Sequence, residues 1–377
     1  MDERGLKLVS EASAEEFRGR TIVLRLDLNV PIVAGAVVDD FRLKQSLPTI
    51  NFLRARGARL VIISHLGRAA ETLEPVARYF QKFFPIEFAS SLEQLESQLK
   101  IAGRSTGIWL LENLRRAAGE ERNDPAFADR LARLGEFYVN DAFASSHREH
   151  ASIVGLPRRL PGYVGLRLAA EIKNLNRVFT PAHPFNIILG GAKFDTKLPL
   201  IKKLIGLADQ IFVYGALAHA FFRELGYELG ESLVDEDTSP ARALLGHPKI
   251  VLPVDVRVRN GERVFIKTPD RLIKTDNILD VGLLTIERLL PVISRAGFIL
   301  WNGPLGNFER GFRGSTEATA KLIAGSNAVS IVGGGDTIAA IRTLDLFNQF
   351  DFVSTGGGAM LDFLANGTLP GIEALRR

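Results

Sequence analysis

The sequence of 377 residues contains no cysteine, which excludes a disulfide framework, a cysteine-ligated zinc ion and a thiol nucleophile. It has no apolar run long enough to span a membrane and no long run of like charges. The N-terminal stretch MDERGLKLVSEAS lacks an apolar core, so no signal peptide is expected. These absences favour a protein of a reducing compartment, without a membrane partner.

Common cofactor-binding signatures are missing too. There is no G-x-x-x-x-G-K-[ST] loop, and no G-x-G-x-x-G follows the first predicted strand of either half. Oxidoreduction with a dinucleotide is therefore unsupported. His147 and His150 form an H-x-x-H pair, but the pair matches no zinc signature, and no protein-held metal is expected there.

The formal net charge is +4, and the lysines and arginines are dispersed along the chain. A basic balance favours an anionic partner. Because no basic run marks a nucleic-acid surface, a phosphate-bearing small molecule explains the excess better than a nucleic acid does.

Short apolar runs alternate with amphipathic helical patterns. The runs are rich in Ile, Leu, Val and Phe without polar alternation, which is typical of strands buried on both faces. The predicted strands are residues 21–26, 59–64, 108–111, 137–139, 185–189, 210–213, 249–252, 297–300, 329–332 and 350–353. The predicted fold class is α/β, with two doubly wound, Rossmann-like parallel-sheet domains.

The division between the domains is predicted near residue 168. Residues 166–179 have the pattern of one helix, with a Gly/Pro-rich stretch before it and Pro181 and Pro184 after it. Helices are also expected at 126–135 and 196–207. The chain is longer than one hydrophobic core usually serves, which agrees with two domains.

In open α/β sheets, ligands bind beyond the carboxyl ends of the strands. In the first half, basic and polar residues stand at these positions. They are Arg25, Asp27, Leu28, Asn29, His65, Leu66, Gly67, Arg68, Arg115, His147, Arg148 and His150. If the strands share one sheet, arginine forks converge there on a small, highly anionic substrate.

In the second half, the strand ends carry glycine instead. Glycine lets backbone N–H groups approach a phosphate, and a following helix N-terminus adds a positive dipole end. The candidates are Gly191, Lys193, Lys197, Gly215, Gly334, Gly335, Asp336 and the triplet 356–358. Asp336 has the chemistry of a magnesium ligand beside phosphate oxygens. This pattern predicts a nucleotide site.

Eight short motifs resemble the phosphoglycerate kinase family. They are RLDLNVP at 25–31, SHLGR at 64–68, LENLR at 111–115, VNDAF at 139–143, GGAK at 190–193, WNGP at 301–304, GGGDT at 333–337 and STGGG at 354–358. They occur in family order and cover nearly the whole chain.

The resemblance implies phosphoryl transfer between 1,3-bisphosphoglycerate and MgADP, giving 3-phosphoglycerate and MgATP, in glycolysis or gluconeogenesis. It also implies a cytoplasmic monomer with a hinge helix. The expected domains are 1–167 for phosphoglycerate, 168–355 for the nucleotide, and a segment 356–377 that returns to the first domain.

The resemblance further assigns roles to residues. It singles out Arg42 for substrate binding, which spacing alone does not. For the nucleotide it adds Gly282, Asn302, Pro304, Glu309 and Thr337, with Asp336 on Mg²⁺. During in-line transfer after hinge closure, the transferring group is expected to be stabilised by Arg42, Lys197, Gly357 and Gly358.

Some residues depart from the family pattern. Tyr214 stands where glycine is usual, Thr196 where aspartate is usual, and Glu149 where alanine is usual. They leave open an alternative, a catalytically weak or silent relative that only binds the ligands. A nucleic-acid or surface binder is a second alternative, which rests on the basic charge alone.

Overall fold

A computed structural model describes residues 5–103 and 105–376. The chain forms two compact units. The first comprises the chain up to Lys173 together with the segment from Thr368 onward, and the second is Asn174–Gly367. These divisions differ from the limits predicted at residues 167 and 355, and the assignment of a ligand to each domain stays a prediction.

The strands of the first unit follow the apolar runs of the sequence. They are β1 (Thr21–Arg25), β2 (Ile32–Val33), β3 (Ala36–Val37), β4 (Arg59–Ile63), β5 (Glu87–Ala89), β6 (Ile108–Leu111), β7 (Phe137–Asn140) and β8 (Gly162–Val164). Six of these described strands form a parallel sheet in the order β5-β6-β4-β1-β7-β8. All five residues of β1 are buried, as expected for a central strand covered on both faces.

Seven helices of the described chain accompany this sheet. They are α1 (Ala14–Phe17), α2 (Phe41–Ala55), α3 (Glu74–Phe80), α4 (Leu92–Ala102), α5 (Ala118–Glu121), α6 (Pro125–Ala132) and α7 (Leu166–Asn176). The predicted helix at 166–179 is confirmed as α7, whose last turn continues as the 3₁₀ turn Arg177–Phe179. It carries the chain from the first unit into the second.

The second unit has its own parallel sheet. Its strands are β9 (Phe185–Leu189), β10 (Gln210–Val213), β11 (Ile250–Val251), β12 (Val256–Asn260), β13 (Arg263–Lys267), β14 (Asn277–Val281), β15 (Phe298–Asn302), β16 (Val329–Gly333) and β17 (Phe352–Val353). Six of those described are ordered β11-β10-β9-β15-β16-β17. The predicted α/β class with two doubly wound sheets is confirmed.

The remaining helices follow these strands. They are α8 (Leu198–Leu204), α9 (Ala216–Glu224), α10 (Ser239–Arg242), α11 (Leu283–Arg295), α12 (Gly314–Ala324), α13 (Gly335–Thr343), α14 (Gly357–Asn366) and α15 (Pro370–Glu373). The first unit contains α15, where Gly371 lies against Ile153 and Ser146. The second unit contains α14, although the predicted C-terminal segment began at residue 356.

The sequence did not predict the antiparallel sheet β13-β12-β14. In β12, buried valines alternate with partly exposed arginines, and β13 is largely exposed. A search for continuous apolar runs misses such strands. Within the described residues, no helix is long and apolar enough to cross a membrane.

Candidate active site

In the first unit, the basic residues that follow four strands lie at one sheet edge. Strands β6, β4, β1 and β7 are neighbours, and all of their pairings are parallel. Their carboxyl ends therefore point the same way. The expectation that these strands share one sheet is confirmed. We call the residues that follow them, together with Arg42 of α2, the basic cluster: Asp27, Asn29, Arg42, His65, Arg68, Arg115, Arg148 and His150.

Arg42 joins the cluster from the first turn of α2. Its Nη1 lies 3.2 Å from Oδ2 of the buried Asp27 and donates to the carbonyl oxygen of Asn29 at 3.0 Å. Its side chain keeps 31% of its surface exposed. The Asp27 carboxylate therefore aims the guanidinium, while part of the side chain stays accessible to an anion.

The loop after β4 is fixed by two asparagines. The Gly67 N–H donates to Asn29 Oδ1 at 2.9 Å. Asn113 Nδ2 donates to the carbonyl oxygens of Leu66 and Arg68 at 2.7 and 2.8 Å, and Asn113 Oδ1 accepts from the Leu66 N–H at 3.1 Å. The sequence places Asn113 directly after a strand, which is the signal for its role. The local sequence around Asn113 does not indicate that its side chain binds the loop after β4.

A carboxylate sits on this loop within the basic cluster. Glu71 Oε1 accepts from the Arg68 N–H at 3.2 Å. A Cβ on Gly67, where φ is +41°, would meet the same carboxylate at 2.1 Å. The amide of Arg68 is therefore taken by a protein anion, and side chains rather than this amide are left to bind a substrate phosphate.

Five residues predicted to bind substrate are buried, among them Asp27 and His65, and the other three are covered almost completely. Arg25, Leu28 and Leu66 are 0%, 0% and 1% exposed. The backbone amides of the two leucines donate to Ser64 Oγ and Asn113 Oδ1. The Arg25 guanidinium is hydrogen-bonded to protein groups. The side chains of Arg25, Leu28 and Leu66 are therefore covered by protein and not open to a ligand. They support the cluster from below.

The cluster is strongly cationic. Burial and then the charges of Arg25, Arg115 and Arg148 hold the pKa of His65 far below its ordinary value. Burial and then Arg148 lower the pKa of His150 to about 4. Both histidines are therefore neutral at pH 7, and the arginines carry the positive charge.

The remaining predicted residues of this half lie beside the cluster. His147 is half-buried and accepts from Arg148 Nε at 3.4 Å. Glu149, which departs from the family pattern, is exposed. Across the residues that the structure describes, no group of three or more His, Asp or Glu side chains could hold a metal ion.

In the second unit, a cavity of about 510 Å³ opens at the strand ends. Five residues predicted to bind nucleotide line it: Gly191, Gly215, Pro304, Glu309 and Asp336. His219 and Asp280 also line the cavity and were not predicted. Neither directly follows a predicted strand: His219 lies in α9, four residues after Gly215, and Asp280 lies in β14, which the sequence did not predict.

Close backbone approach explains the glycines at the ends of β9 and β15. A Cβ on Gly303, where φ is +97°, would lie 2.4 Å from the Gly190 oxygen. The Gly303 N–H donates to Oγ1 of the buried Thr337 at 3.1 Å, and the neighbouring Asn302 is also buried. These two strand ends thus pack without side chains between them.

Lys197 stands at the N-terminus of α8 and is half-buried, whereas Lys193 is exposed. Burial lowers the pKa of Lys197 from 10.5 to about 8. The loop before it is anchored by the Phe194 N–H, which donates to Asp235 Oδ2 at 2.9 Å. A partly desolvated ammonium of this kind is well suited to a phosphate oxygen.

Two helix N-termini meet at the end of β16. Helix α13 begins at Gly335 after the N-cap residue Gly334, and α14 begins at Gly357. A Cβ on Gly357 would lie 3.0 Å from the Gly334 Cα, so the first turn of α14, which includes Gly358, starts beside α13. Both helices have at least nine residues, and their first amides add positive potential for an anion.

Asp336 lies in the first turn of α13 and is half-buried. Burial, followed by the charge of Glu309, raises the pKa of Asp336, while Arg313 opposes the shift. A cation beside Asp336 would stabilise its charged carboxylate and so oppose the effects of burial and of Glu309 on its pKa.

The other residues predicted to bind nucleotide do not line the cavity: Lys193, Lys197, Gly282, Asn302, Gly334, Gly335 and Thr337. Gly282 is the N-cap residue of α11 and packs against the Asp255 carboxylate, and it does not line the cavity. The Tyr214 ring is 1% exposed and packs 6.1 Å from the Phe212 ring, so it belongs to the core rather than to the cavity wall.

Comparison with known proteins places the chain in a family. The family model described as phosphoglycerate kinase matches residues 12–367. The phosphoglycerate kinase of Rubrobacter xylanophilus is 41% identical to this chain over an alignment of 379 positions, and the alignment covers 96% of each protein. Solved phosphoglycerate kinase structures from Coxiella burnetii and Pyrococcus horikoshii match with TM-scores of 0.82 and 0.86 at 34% and 30% identity, and each match covers 98% of both chains. The chain belongs to the phosphoglycerate kinase family.

Proposed function

We propose that the basic cluster holds 3-phosphoglycerate or 1,3-bisphosphoglycerate, and that the cavity of the second unit holds MgADP or MgATP. The chain is a kinase that transfers a phosphoryl group to a carboxyl acceptor, as its family membership shows. The observation that carries the assignment is that each unit presents a different phosphate-binding chemistry at the carboxyl edge of its parallel sheet.

In the first unit, arginines supply the binding energy. Arg42, Arg115 and Arg148 are partly exposed, and Arg68 is exposed. Planar guanidinium groups bind a phosphate and a carboxylate in bidentate fashion, so several of them fix both ends of a phosphoglycerate. Asp27 and Asn29 add acceptors for the substrate hydroxyl group.

In the second unit, backbone carries the nucleotide. The glycine-lined cavity wall admits the triphosphate, Lys197 binds a phosphate oxygen, and Glu309 accepts from the ribose hydroxyls. One hard carboxylate, Asp336, fits Mg²⁺ because the phosphates supply further oxygens and the cation offsets the neighbouring Glu309 charge. When bound, Mg²⁺ neutralises the phosphate charge.

The chemistry needs positioning more than proton transfer. The acceptor carboxylate is already ionised at pH 7, so no general base is required. Arg42, Lys197 and the first amides of α14 would stabilise the oxygens of the transferring group, and each preorganised donor lowers the barrier by about 3 kcal/mol. Direct transfer requires the two ligands to meet, so hinge closure is part of the proposal. A monomeric, cytoplasmic enzyme is proposed on the resemblance alone.

The test is an assay of transfer from MgATP to 3-phosphoglycerate by the parent and by Arg42→Ala and Lys197→Ala. We expect turnover in the parent and a loss of about 100-fold or more in each variant. An inactive parent that still binds both ligands in calorimetry would replace the enzyme with a ligand-binding relative, and Thr196 would be the first position to revert.

A further inference from the structure

A buried chain of hydrogen bonds runs beneath the basic cluster from Glu120 to His65. Glu120, Ser152 and Arg25 are each 0% exposed, and His65 is 4% exposed. Ser152 Oγ lies 2.6 Å from Glu120 Oε1, and Arg25 Nε lies 3.0 Å from Ser152 Oγ. Arg25 Nη2 then lies 3.2 Å from Nδ1 of His65.

The direction of every bond in this chain follows from its donors. Arg25 is a guanidinium and can only donate, so Ser152 Oγ accepts from Nε and donates its proton to Glu120. The Ser152 N–H also donates to Glu120 Oε2 at 3.0 Å, so both carboxylate oxygens are taken. Arg25 Nη1 donates to the Leu26 carbonyl oxygen and to Ser64 Oγ. Arg25 Nη2 faces His65 Nδ1, which must therefore accept.

We infer that Glu120 and Ser152 orient Arg25 so that it fixes His65 as the tautomer with its proton on Nε2, a neutral N–H donor for the substrate anion. Of these four residues, only His65 would contact the ligand, and Arg25, Ser152 and Glu120 are positioning residues. The inference deepens the proposed function, because it names the hydrogen-bond donor that His65 offers to phosphoglycerate.

The charges around His65 keep it in this form. Arg25, Arg115, Arg148 and His150 all disfavour a second proton on the ring, and burial acts in the same direction. Both carboxylate oxygens of Glu120 accept hydrogen bonds from Ser152, and its negative charge stabilises the Arg25 guanidinium. His65 should therefore stay neutral across the pH range in which an ordinary histidine titrates.

The protein offers an internal reference for the tautomer. His219 Nδ1 lies 2.6 Å from the carbonyl oxygen of Leu233, which can only accept. His219 must therefore carry its proton on Nδ1, the opposite of His65. One spectrum of the parent protein should show both tautomers.

The first experiment is ¹⁵N NMR of the histidine-labelled parent without substrate, with the His65 signals assigned from a His65→Gln spectrum. We expect an unprotonated Nδ1 and a protonated Nε2 for His65, unchanged from about pH 5 to 9, and the reverse pattern for His219. Protonation of His65 on Nδ1, a mixture of tautomers, or titration near pH 6.5 would overturn the inference.

Ser152→Ala tests the chain behind Arg25. The variant removes the acceptor that links Arg25 to Glu120 and leaves both charges in place. Circular dichroism establishes that the fold is kept, and we expect His65 to show both tautomers. An unchanged His65 spectrum would refute the assignment of orientation to Ser152 and Glu120.

Two conservative variants test the consequence for binding. The amide nitrogen of glutamine can replace Nε2–H, whereas that of asparagine lies nearer to Nδ1. We expect His65→Gln to keep the KM for 3-phosphoglycerate within about threefold, and His65→Asn to raise it by about tenfold. Equal effects would contradict the donor role. If no phosphoglycerate binds at all, the proposed function fails while the NMR result still decides the tautomer.

Discussion

The half-buried Lys197 makes the affinity for the nucleotide depend on pH. Burial lowers the pKa of Lys197 from 10.5 to about 8, and a phosphate oxygen beside the ammonium would favour the charged form. Nucleotide binding should therefore take up a proton above about pH 8, and the affinity should fall as the pH rises through that value.

The size of this effect follows from the pKa. With a pKa of about 8, about nine-tenths of Lys197 is charged at pH 7 and about one-tenth at pH 9. If only the charged form binds the phosphate, the Kd for MgADP rises about tenfold between these pH values.

Stability should respond in the opposite sense. The pKa of Lys197 is lower in the folded protein than in the unfolded chain, so the unfolded chain binds more protons between about pH 8 and 10.5. The contribution of Lys197 to the free energy of unfolding therefore becomes more favourable as the pH rises through this window. At pH 7, Lys197→Met should raise the free energy of unfolding by about 2 kcal/mol, since it removes a charge that burial penalises. The same change should abolish the pH dependence of binding.

Calorimetric titration with MgADP at three pH values measures the first effect, and urea unfolding measures the second. Lys197→Arg is the control, because its guanidinium stays charged throughout and its affinity should not follow pH. The reasoning is wrong if the parent and Lys197→Arg show the same pH profile, or if Lys197→Met is less stable than the parent at pH 7.

Three further results are expected. Arg42→Lys keeps a cation beside its carboxylate partner but loses the planar fork, so kcat in the transfer assay should fall about 100-fold with little change in Tm. Gly303→Ala places a Cβ 2.4 Å from a backbone oxygen and should lower the free energy of unfolding by about 3 kcal/mol in urea titrations. Gly311→Ala, with φ also positive but open space around it, should cost about 1 kcal/mol. Glu71→Gln removes a negative charge from the basic cluster and should lower the KM for 3-phosphoglycerate about threefold, whereas Glu74→Gln on the exposed start of α3 should leave it unchanged.

The parallel strands were predictable because each is a short apolar run buried on both faces. In the first unit, β1, β4, β6 and β7 begin at the predicted residues. The residues after them could be listed as site candidates for the same reason. The antiparallel strands β12 and β13 were missed, since a strand with an exposed face lacks that signature.

For other residues, neighbours in space decide what the side chain does. Asn113 holds a loop 47 residues earlier in the chain at Leu66, and Glu120 reaches Ser152 across 32 residues. Tyr214 stands where glycine is usual in the family, but its ring packs into the core. No local pattern distinguishes these outcomes, because each depends on which face of an element the fold covers.

The sequence by itself determined the fold class, the starts of the main parallel strands, and which arginines and glycines follow them, because hydrophobic period and residue spacing are local properties. Tertiary structure alone decided which of those residues meet solvent. Arg25 is the clearest case: its place at a strand end suggested a substrate ligand, but it is fully buried and bonded to Ser152 and His65. Burial depends on packing between distant segments, and that information is present only once the chain has folded.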